Sequence, residues 1–315
     1  VIIDTNGGAN VTSGFGPTGY NIVLNTNSTA TAVADSSGVM TITSDGFTCK
    51  ELTSAAGNVS TGSMVCWQWH CDAGDRITFN ESGNNPGGVR QTNATAGLSI
   101  IRYTGTGADA SCALAHGLGK APEMVIFKRG NATNWWVTYH QGIGVNYKLA
   151  LQSTDAKDSD GAFMNGTIPD ATNIYVGGTS VHTNADGGDY LAYAWTSIQG
   201  YSKFGTYVGN ASADGPFVYT GFQPAWVMIK TVGTTDDWYI FDNKREGYNP
   251  SVWRIRANTT GGDTTGTDNT VDHLSNGFKL RFTGGSINGD GLTYIYMAFA
   301  EHPFTTSTGI PTTAR

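Results

Sequence analysis

The sequence predicts an all-β protein of tandem, jelly-roll-like antiparallel β-sandwich domains of about 100 residues each, the first one incomplete. Three observations predict this fold. One pattern of short apolar segments occurs more than twice along the chain. These segments recur roughly every ten residues and show no helical periodicity. The chain combines 11% aromatic residues and 43 glycines with only 14% charged residues, which is typical of short strands joined by tight turns.

The repeat is clearest in the last two thirds of the chain. Residues 122–128 align with 224–230, and residues 190–195 align with 294–299. The offset between the two copies changes only from 102 to 104 residues along this stretch. A nearly constant offset with a small slip is what a duplicated domain with altered loops would show.

The first third fits only the second half of the same pattern. Residues 1–4 align with 239–242, and residues 64–69 align with the closing strand of the later copies. We consider two explanations: these residues are the C-terminal part of a longer chain, or another subunit completes the first copy. The predicted organisation is a partial sandwich (repeat 1, 1–71), a linker or wrapping loop (72–98), two full sandwiches (repeat 2, 99–200, and repeat 3, 201–304) and an extended C-terminal tail (305–315).

The individual strands follow from short β-rich apolar segments between clusters of Gly, Asn, Asp and Thr. In repeat 2 they predict strands at 98–104, 123–129, 135–140, 148–152, 173–177 and 190–196. In repeat 3 they predict strands at 203–208, 226–231, 238–242, 252–257, 278–282 and 293–300. The connection at 199–202 is very short, so repeats 2 and 3 should lie close together.

Comparison of the copies separates core positions from surface positions. The positions that stay large and apolar, and are therefore predicted to be core, are Trp69, Trp195, Phe299, Phe47, Ile174 and Phe278. Trp136 and Trp238 are predicted to be packing aromatics. Trp135 aligns with Asp237, and a position that accepts Trp or Asp should lie at the surface. An exposed indole can stack on a sugar, so Trp135 is the candidate glycan-binding residue, with a partly covered rim position as the more ordinary alternative.

The four cysteines do not form a recognisable metal site. Cys49, Cys66, Cys71 and Cys112 lack the paired C-x-x-C spacing of zinc sites. We expect thiols, with a disulfide from Cys49 to Cys66 or Cys71, or a metal site that uses His70, as alternatives. No metal and no cofactor is predicted.

No motif predicts catalysis, and we expect no catalytic residues. Residues 117–120 lack the earlier Gly and the following Ser or Thr of a phosphate-binding loop. Residues 155–161 lack the ligand spacing of an EF-hand. The six histidines do not recur between copies, and no nucleophile elbow is present. A carboxylate pair, or loose calcium binding by Asp186, Asp189 or Asp290, stays open.

The charge pattern excludes two classes of partner. The net charge is −7, and no basic stripe could neutralise phosphates, so nucleic acid is not an expected partner. No apolar run approaches the roughly 18–20 residues of a membrane span, so a membrane is not expected either.

Several segments of repeat 3 resemble a known family. They are residues 200–210, 214–222, 225–230, 274–280 and 294–304. Together they resemble the C-terminal repeat region of large structural proteins of tailed bacteriophages, especially phages of aquatic bacteria, which are tail fibre, tail-associated or lectin-like proteins. The resemblance is strongest over residues 200–315, extends over 99–200 and is looser over 1–98.

The resemblance implies a virion structural protein in the tail fibre, in another tail-associated position or in a capsid decoration, exposed on the virion surface outside the cell. It implies assembly with other copies of itself, a trimer being one arrangement, and with other virion proteins. Host-surface glycan is the expected ligand. The alternatives are a secreted cellular adhesin or filament subunit and, less favoured, a polysaccharide depolymerase.

Overall fold

A computed structural model describes residues 2–4, 21–35, 40–42, 47–49, 65–71, 76–178 and 180–303. Its elements confirm the all-β prediction, since the described residues include only one short helix, α1 (Gly285–Asn288). The strands are β1 (Ile2–Asp4), β2 (Asn21–Leu24), β3 (Val33–Asp35), β4 (Met40–Ile42), β5 (Phe47–Cys49), β6 (Ile77–Phe79), β7 (Gly88–Asn93), β8 (Leu98–Thr104), β9 (Ser111–Ala115), β10 (Met124–Arg129), β11 (Trp136–His140), β12 (Tyr147–Ala150), β13 (Asp158–Ser159), β14 (Asn173–Gly177), β15 (Asp189–Trp195), β16 (Ser202–Val208), β17 (Phe217–Tyr219), β18 (Pro224–Thr231), β19 (Tyr239–Asp242), β20 (Ile255–Arg256), β21 (Val271–Leu274), β22 (Gly277–Leu280) and β23 (Thr293–Ala300).

Repeat 2 is a sandwich of a large and a small antiparallel sheet. The large sheet has the order β13-β12-β11-β10-β15-β8-β7-β6, and the small one pairs β14 with β9. Val125 and Phe127 of β10 pack in one apolar cluster with Leu114 of β9 and Ile174 of β14. This first core lies between the two sheets, as in other sandwiches.

Repeat 3 has the same two-sheet plan. Its large sheet has the order β16-β23-β18-β19-β20, and its small sheet has the order β17-β22-β21. Val227 and Ile229 of β18 pack in one cluster with Val218 of β17 and Phe278 of β22. The second core therefore repeats the design of the first.

A third core joins the repeats through the remaining faces of the two large sheets. Met124 and Ile126 of repeat 2 belong to the same buried cluster as Trp226, Met228 and Phe299 of repeat 3. Alternate residues of a strand point to opposite faces, so β10 and β18 are buried on both sides. The predicted closeness of repeats 2 and 3 is confirmed.

Repeat 1 also enters this shared core. Leu24 at the end of β2 is buried within it. Trp67 and Trp69 pack edge to face on Trp226, with ring centroids 6.2 and 5.4 Å apart, and Trp69 lies 5.5 Å from the ring of Phe299. Such contacts stabilise aromatic pairs beyond the area they bury. The described parts of all three repeats therefore share one apolar centre.

The first seam, between repeats 1 and 2, is held by a buried lysine. Lys128 lies two residues after Ile126 and therefore points toward the shared core. Its ammonium donates hydrogen bonds to the carbonyls of Thr29 (3.0 Å) and Asn134 (2.7 Å). The indole N–H of Trp136 donates to the Asn25 carbonyl at 3.0 Å.

The second seam, between repeats 2 and 3, repeats this chemistry at equivalent positions. Lys230 donates to the carbonyls of Thr154 (2.9 Å) and Asp236 (2.8 Å). The indole N–H of Trp238 donates to the Ala150 carbonyl at 3.0 Å. Each seam therefore joins a lysine and a tryptophan of one repeat to the end of a strand and the loop that follows it in the repeat before.

Backbone hydrogen bonds complete both seams. At the first, the Ala32 amide donates to the Gly130 carbonyl at 3.0 Å. At the second, the Lys157 amide donates to the Val232 carbonyl at 2.9 Å. The two seams are thus copies of one interface. The same hydrogen bonds recur at both, in addition to the shared apolar packing.

The predicted core positions can be compared with this structure. Trp195, Phe299, Ile174 and Phe278 are buried, and so are the packing aromatics Trp136 and Trp238. Trp69 is half-buried. The side chain of Phe47 and the predicted tail at 305–315 lie outside the described residues.

The linker predicted at 72–98 differs from the structure. Its described part, from residue 76 onward, contains β6 and β7, and β7 pairs along its length with β8. The segment therefore extends the large sheet of repeat 2. β7 lies next to the edge strand β6, and every residue of β7 is half-buried, so the strands at this end of the sheet need few large apolar side chains, which is why the sequence resembles a linker. The sequence likewise did not predict the strands β9, β13, β17 and β21.

The seam lysines make stability depend on pH. Burial lowers the pKa of Lys128 and Lys230 to about 8. An unfolded chain keeps a lysine pKa near 10.4, so it binds more protons than the folded chain between these values. The free energy of unfolding should therefore rise with pH from about 8 upward, by at most about 1.4 kcal/mol per pH unit for each lysine. A neutral amine keeps two N–H donors, enough for both carbonyls.

Urea unfolding of the wild type and of Lys230→Met between pH 7 and 9.5 measures this effect. The stability advantage of the wild type over the variant should grow as the pH rises. The exposed Lys120 provides the control, since Lys120→Met should leave the difference constant. A pH-independent difference for Lys230→Met would contradict the argument.

Candidate functional site

Trp135 lies where the surface of repeat 2 meets repeat 1. It directly precedes β11, whose first residue, Trp136, points into the shared core. Neighbouring residues of an extended segment point to opposite sides, so the Trp135 indole faces outward and is 37% exposed. The predicted surface position of Trp135 is confirmed, while its role in binding glycan stays a prediction.

A hydrogen-bond network fixes the surroundings of this indole. The Asn134 side-chain oxygen accepts from the Trp135 amide at 2.7 Å and lies 2.6 Å from Nδ1 of His182. The Asn134 side-chain amide donates to the Val181 carbonyl at 2.5 Å. The His182 ring packs beside the indole, with centroids 5.6 Å apart. Asn134 therefore links two segments that are distant in sequence and holds the aromatic pair in place.

A charged cluster covers part of the same indole. The Lys148 ammonium lies 5.5 Å from the centre of the Trp135 ring, a cation–π distance. The same ammonium forms ion pairs with Asp158 at 3.0 Å and Asp160 at 2.8 Å. Burial, followed by the Lys148 charge, lowers the pKa of His182 below its ordinary value. At neutral pH the imidazole is therefore uncharged.

Together these groups form an open depression of about 420 Å³, which we name the Trp135 pocket. It is lined by Thr29, Arg129, Thr133, Asn134, Trp135, Val181 and His182. Thr29 belongs to repeat 1 and its carbonyl is the one that accepts from Lys128, so the first seam forms one wall. An apolar ring face beside a guanidinium and hydroxyl groups suits a ligand that is apolar on one face and polar at its edge, as a sugar ring is.

The equivalent place in repeat 3 contains an ion pair. Asp237 stands where repeat 2 has Trp135. It forms an ion pair with Arg256 at 3.0 Å and accepts a hydrogen bond from the Asn258 side-chain amide at 2.7 Å. This explains how one position accepts both Trp and Asp. It also means that the aromatic pocket belongs to repeat 2 and is not part of the shared design.

A second depression, of about 580 Å³, lies on repeat 3 and was not predicted. Arg281, on its wall, pairs with Asp272 at 2.5 Å and with Asp214 at 2.8 Å. Its charged groups therefore neutralise one another. It has no counterpart of the Trp135 indole among its lining residues, and we assign it no ligand.

The cysteines and the candidate metal ligands were the other groups considered in the sequence. Within the described part of the chain, no cluster of three or more His, Cys, Asp or Glu side chains could hold a metal ion. Cys66 is an exposed thiol, whereas Cys71 and Cys112 are buried thiols. The Cys71 sulfur donates to the carbonyls of Gln91 and Leu98. The side chain of Cys49 lies outside the described residues. No helix in the described ranges is long and apolar enough to cross a membrane.

Comparison with known proteins gives one family. A family model described as a domain of unknown function (DUF7483) matches residues 17–303. The chain belongs to this family. No curated protein and no solved structure matches the chain. The DUF7483 match spans all three repeats as one unit, which agrees with the core and the seams that they share.

Sequence reasoning identified Trp135 but not its neighbours. His182 follows a turn-rich loop 47 residues further along the chain, and nothing local in its sequence links it to Trp135. Thr29 could have been found, because Asn27-Ser-Thr29 recurs as Gln152-Ser-Thr154 and as Asn258-Thr-Thr260. This small polar motif marks the loop that accepts the seam lysine in the two described seams.

The electrostatics of the Trp135 pocket can be tested by titrating His182. Replacing Lys148 with Met removes a nearby positive charge and leaves Asp158 and Asp160 without their cation, so the pKa of His182 should rise. NMR titration of the imidazole resonances measures this change. Lys203→Met, an exposed position on repeat 3, is the control and should not shift His182. An unchanged or lowered His182 pKa in Lys148→Met would show that this interaction is absent.

Proposed function

We propose that this DUF7483 chain is a structural protein of a phage virion, exposed on a tail fibre, on another tail-associated site or on a capsid decoration, where it attaches to host-surface glycan. The resemblance of residues 200–315 to phage tail proteins supports the virion assignment. The observation that supports glycan attachment is the Trp135 pocket, where a partly exposed indole lies beside Arg129 and a fixed Asn134–His182 pair.

The architecture suits a protein that presents a binding group at the surface of a particle. Three repeats packed around one apolar core form a body with little internal freedom, so a surface group keeps its orientation relative to the rest of the particle. A single open pocket of this kind should bind weakly. Attachment then depends on many copies acting together, because linked sites raise the effective concentration of each further contact. Homo-oligomers of this chain, and contacts with other virion proteins, belong to the same proposal.

In this proposal the chain does no chemistry on its ligand. His182 forms a hydrogen bond with the Asn134 side chain, and the nearby Asp158 and Asp160 form ion pairs with Lys148. These contacts stabilise the pocket and are the arrangement expected for binding. Release of oligosaccharide from host envelope glycan by the purified protein would instead favour the depolymerase alternative. Detection of the protein in purified phage particles by mass spectrometry would separate the virion role from a cellular adhesin.

The binding role predicts a specific loss in Trp135→Ala. A glycan array with host-derived polysaccharide should show weak binding by the wild type, and loss of one indole contact, about 1 kcal/mol, should weaken it about fivefold. Trp253→Ala is the matched control, because Trp253 is 36% exposed and lies outside the pocket. No glycan bound by the wild type, or equal losses in the two variants, would remove the binding role and leave an architectural one.

A further inference from the structure

The loop that forms each seam has a third copy in repeat 3. In repeat 2, Lys148 of β12 pairs with Asp158 of β13. In repeat 3, Arg254 forms an equivalent bridge with Thr264. This register makes Thr260 the counterpart of Thr154. The loop 256–264 is therefore built like the two loops that accept a seam lysine.

Both occupied copies of this loop bind the same donors. The Thr29 carbonyl accepts from the Lys128 ammonium at 3.0 Å and from the Asn134 amide at 2.9 Å. The Thr154 carbonyl accepts from the Lys230 ammonium at 2.9 Å and from the Asp236 amide at 2.8 Å. A loop of this type is therefore an acceptor for one ammonium group and one strand-entry amide.

The third copy is open. Thr260 is exposed, and among the described residues none donates a hydrogen bond to its carbonyl. The Asp263 amide, which corresponds to the donating amides of Ala32 and Lys157, also has no acceptor within those residues. The side-chain oxygen of Thr259 is buried without a hydrogen-bond partner in the same described set. The acceptor geometry of a seam is thus present, while the part of the chain that the structure describes supplies no donors for it.

Among the described strands of repeat 1, none stands where it could supply those donors. β1 pairs with β2 as β11 pairs with β12, but none of the described strands occupies the position that β10 has beside β11. In repeat 2, β15 is flanked by β10 and β8. The corresponding residues 65–71 alternate between covered and exposed positions like a strand, yet they join no described sheet.

Repeats 1 and 3 already touch at this place. The Thr26 hydroxyl donates to the Ala257 carbonyl at 2.7 Å. Repeat 1 therefore contacts repeat 2 through the first seam and repeat 3 through this bond, and repeats 2 and 3 meet at the second seam. Three similar units that contact each other in this way form a cycle, and a cycle of three has three seams.

We propose that the loop 256–264 is a docking site for a lysine-bearing antiparallel strand pair of the same repeat pattern, which lies alongside residues 65–71 and forms the third seam. The occupant is defined by the two existing seams: an ammonium group for the Thr260 carbonyl, and an indole N–H for the Arg256 carbonyl, the counterpart of Ala150. A folded second copy of this chain does not fit, because its Lys128 and Lys230 are already buried in their own seams.

A synthetic hairpin with the sequence of residues 121–141 tests the proposal, since it contains β10, β11, Lys128 and Trp136. Fluorescence anisotropy measures its binding to the intact 315-residue chain. The same peptide with Lys128→Met is the matched control and should bind at least about tenfold more weakly. Hydrogen exchange should show that the bound hairpin protects amides in 257–264 and in 65–71.

Three results would overturn the proposal. They are failure of the hairpin to bind, equal binding of the lysine and methionine peptides, and protection confined to other parts of the chain. Sedimentation of the protein alone provides a further check, because self-association that protects 257–264 would show that a second copy is the occupant. Glycan binding at the Trp135 pocket is measured separately, so either proposal can fail without the other.

Discussion

The whole arrangement depends on a lysine ammonium buried between two backbone carbonyls of different repeats. Removing such a charge from water is costly unless hydrogen bonds compensate it, and each of these ammonium groups donates two. At both seams the acceptors come from one carbonyl of the same repeat and one carbonyl of the preceding repeat. The lysine is satisfied only when the repeats sit in one relative position. Apolar packing alone is tolerant of small shifts, whereas these directional bonds fix the register of one repeat on the next.

This constraint explains which features of the sequence were informative. Most strands of the full repeats followed from short apolar segments, and the bounds of β8, β14 and β23 were predicted at the residues where the structure has them. β10 and β18 show no alternation of apolar and polar residues because both faces of each strand are buried. The sequence therefore indicated strands but not the shared core. Lys128 and Lys230 were aligned in the sequence, yet a recurring lysine beside a strand usually indicates a solvated edge. Only the fold shows that both side chains are buried.

The failures have equally specific causes. The segment of β6 and β7 resembles a linker because these two outermost strands of the sheet carry polar side chains, and their assignment depends on the pairing of β7 with β8, which is a tertiary contact. The Trp135 pocket shows the same limit. Exposure of Trp135 followed from its exchange with Asp237, but His182 is brought to it by Asn134, through hydrogen bonds between segments 48 residues apart. Amino-acid composition and motif spacing do not reveal contacts between residues so far apart in the sequence.

The first seam and the Trp135 pocket share residues, and this affects how the pocket could bind glycan. The Thr29 carbonyl that receives Lys128 belongs to a residue on the wall of the Trp135 pocket. The Asn134 carbonyl likewise accepts a hydrogen bond from Lys128, and the Asn134 side-chain oxygen forms a hydrogen bond with His182. The groups that fix repeat 1 on repeat 2 therefore also fix the shape of the pocket. A weak ligand benefits from such a preformed site, because little ordering free energy is lost when it binds. In repeat 3 the same position is closed by Asp237 and Arg256, so the shared scaffold and the divergent surface have separate roles.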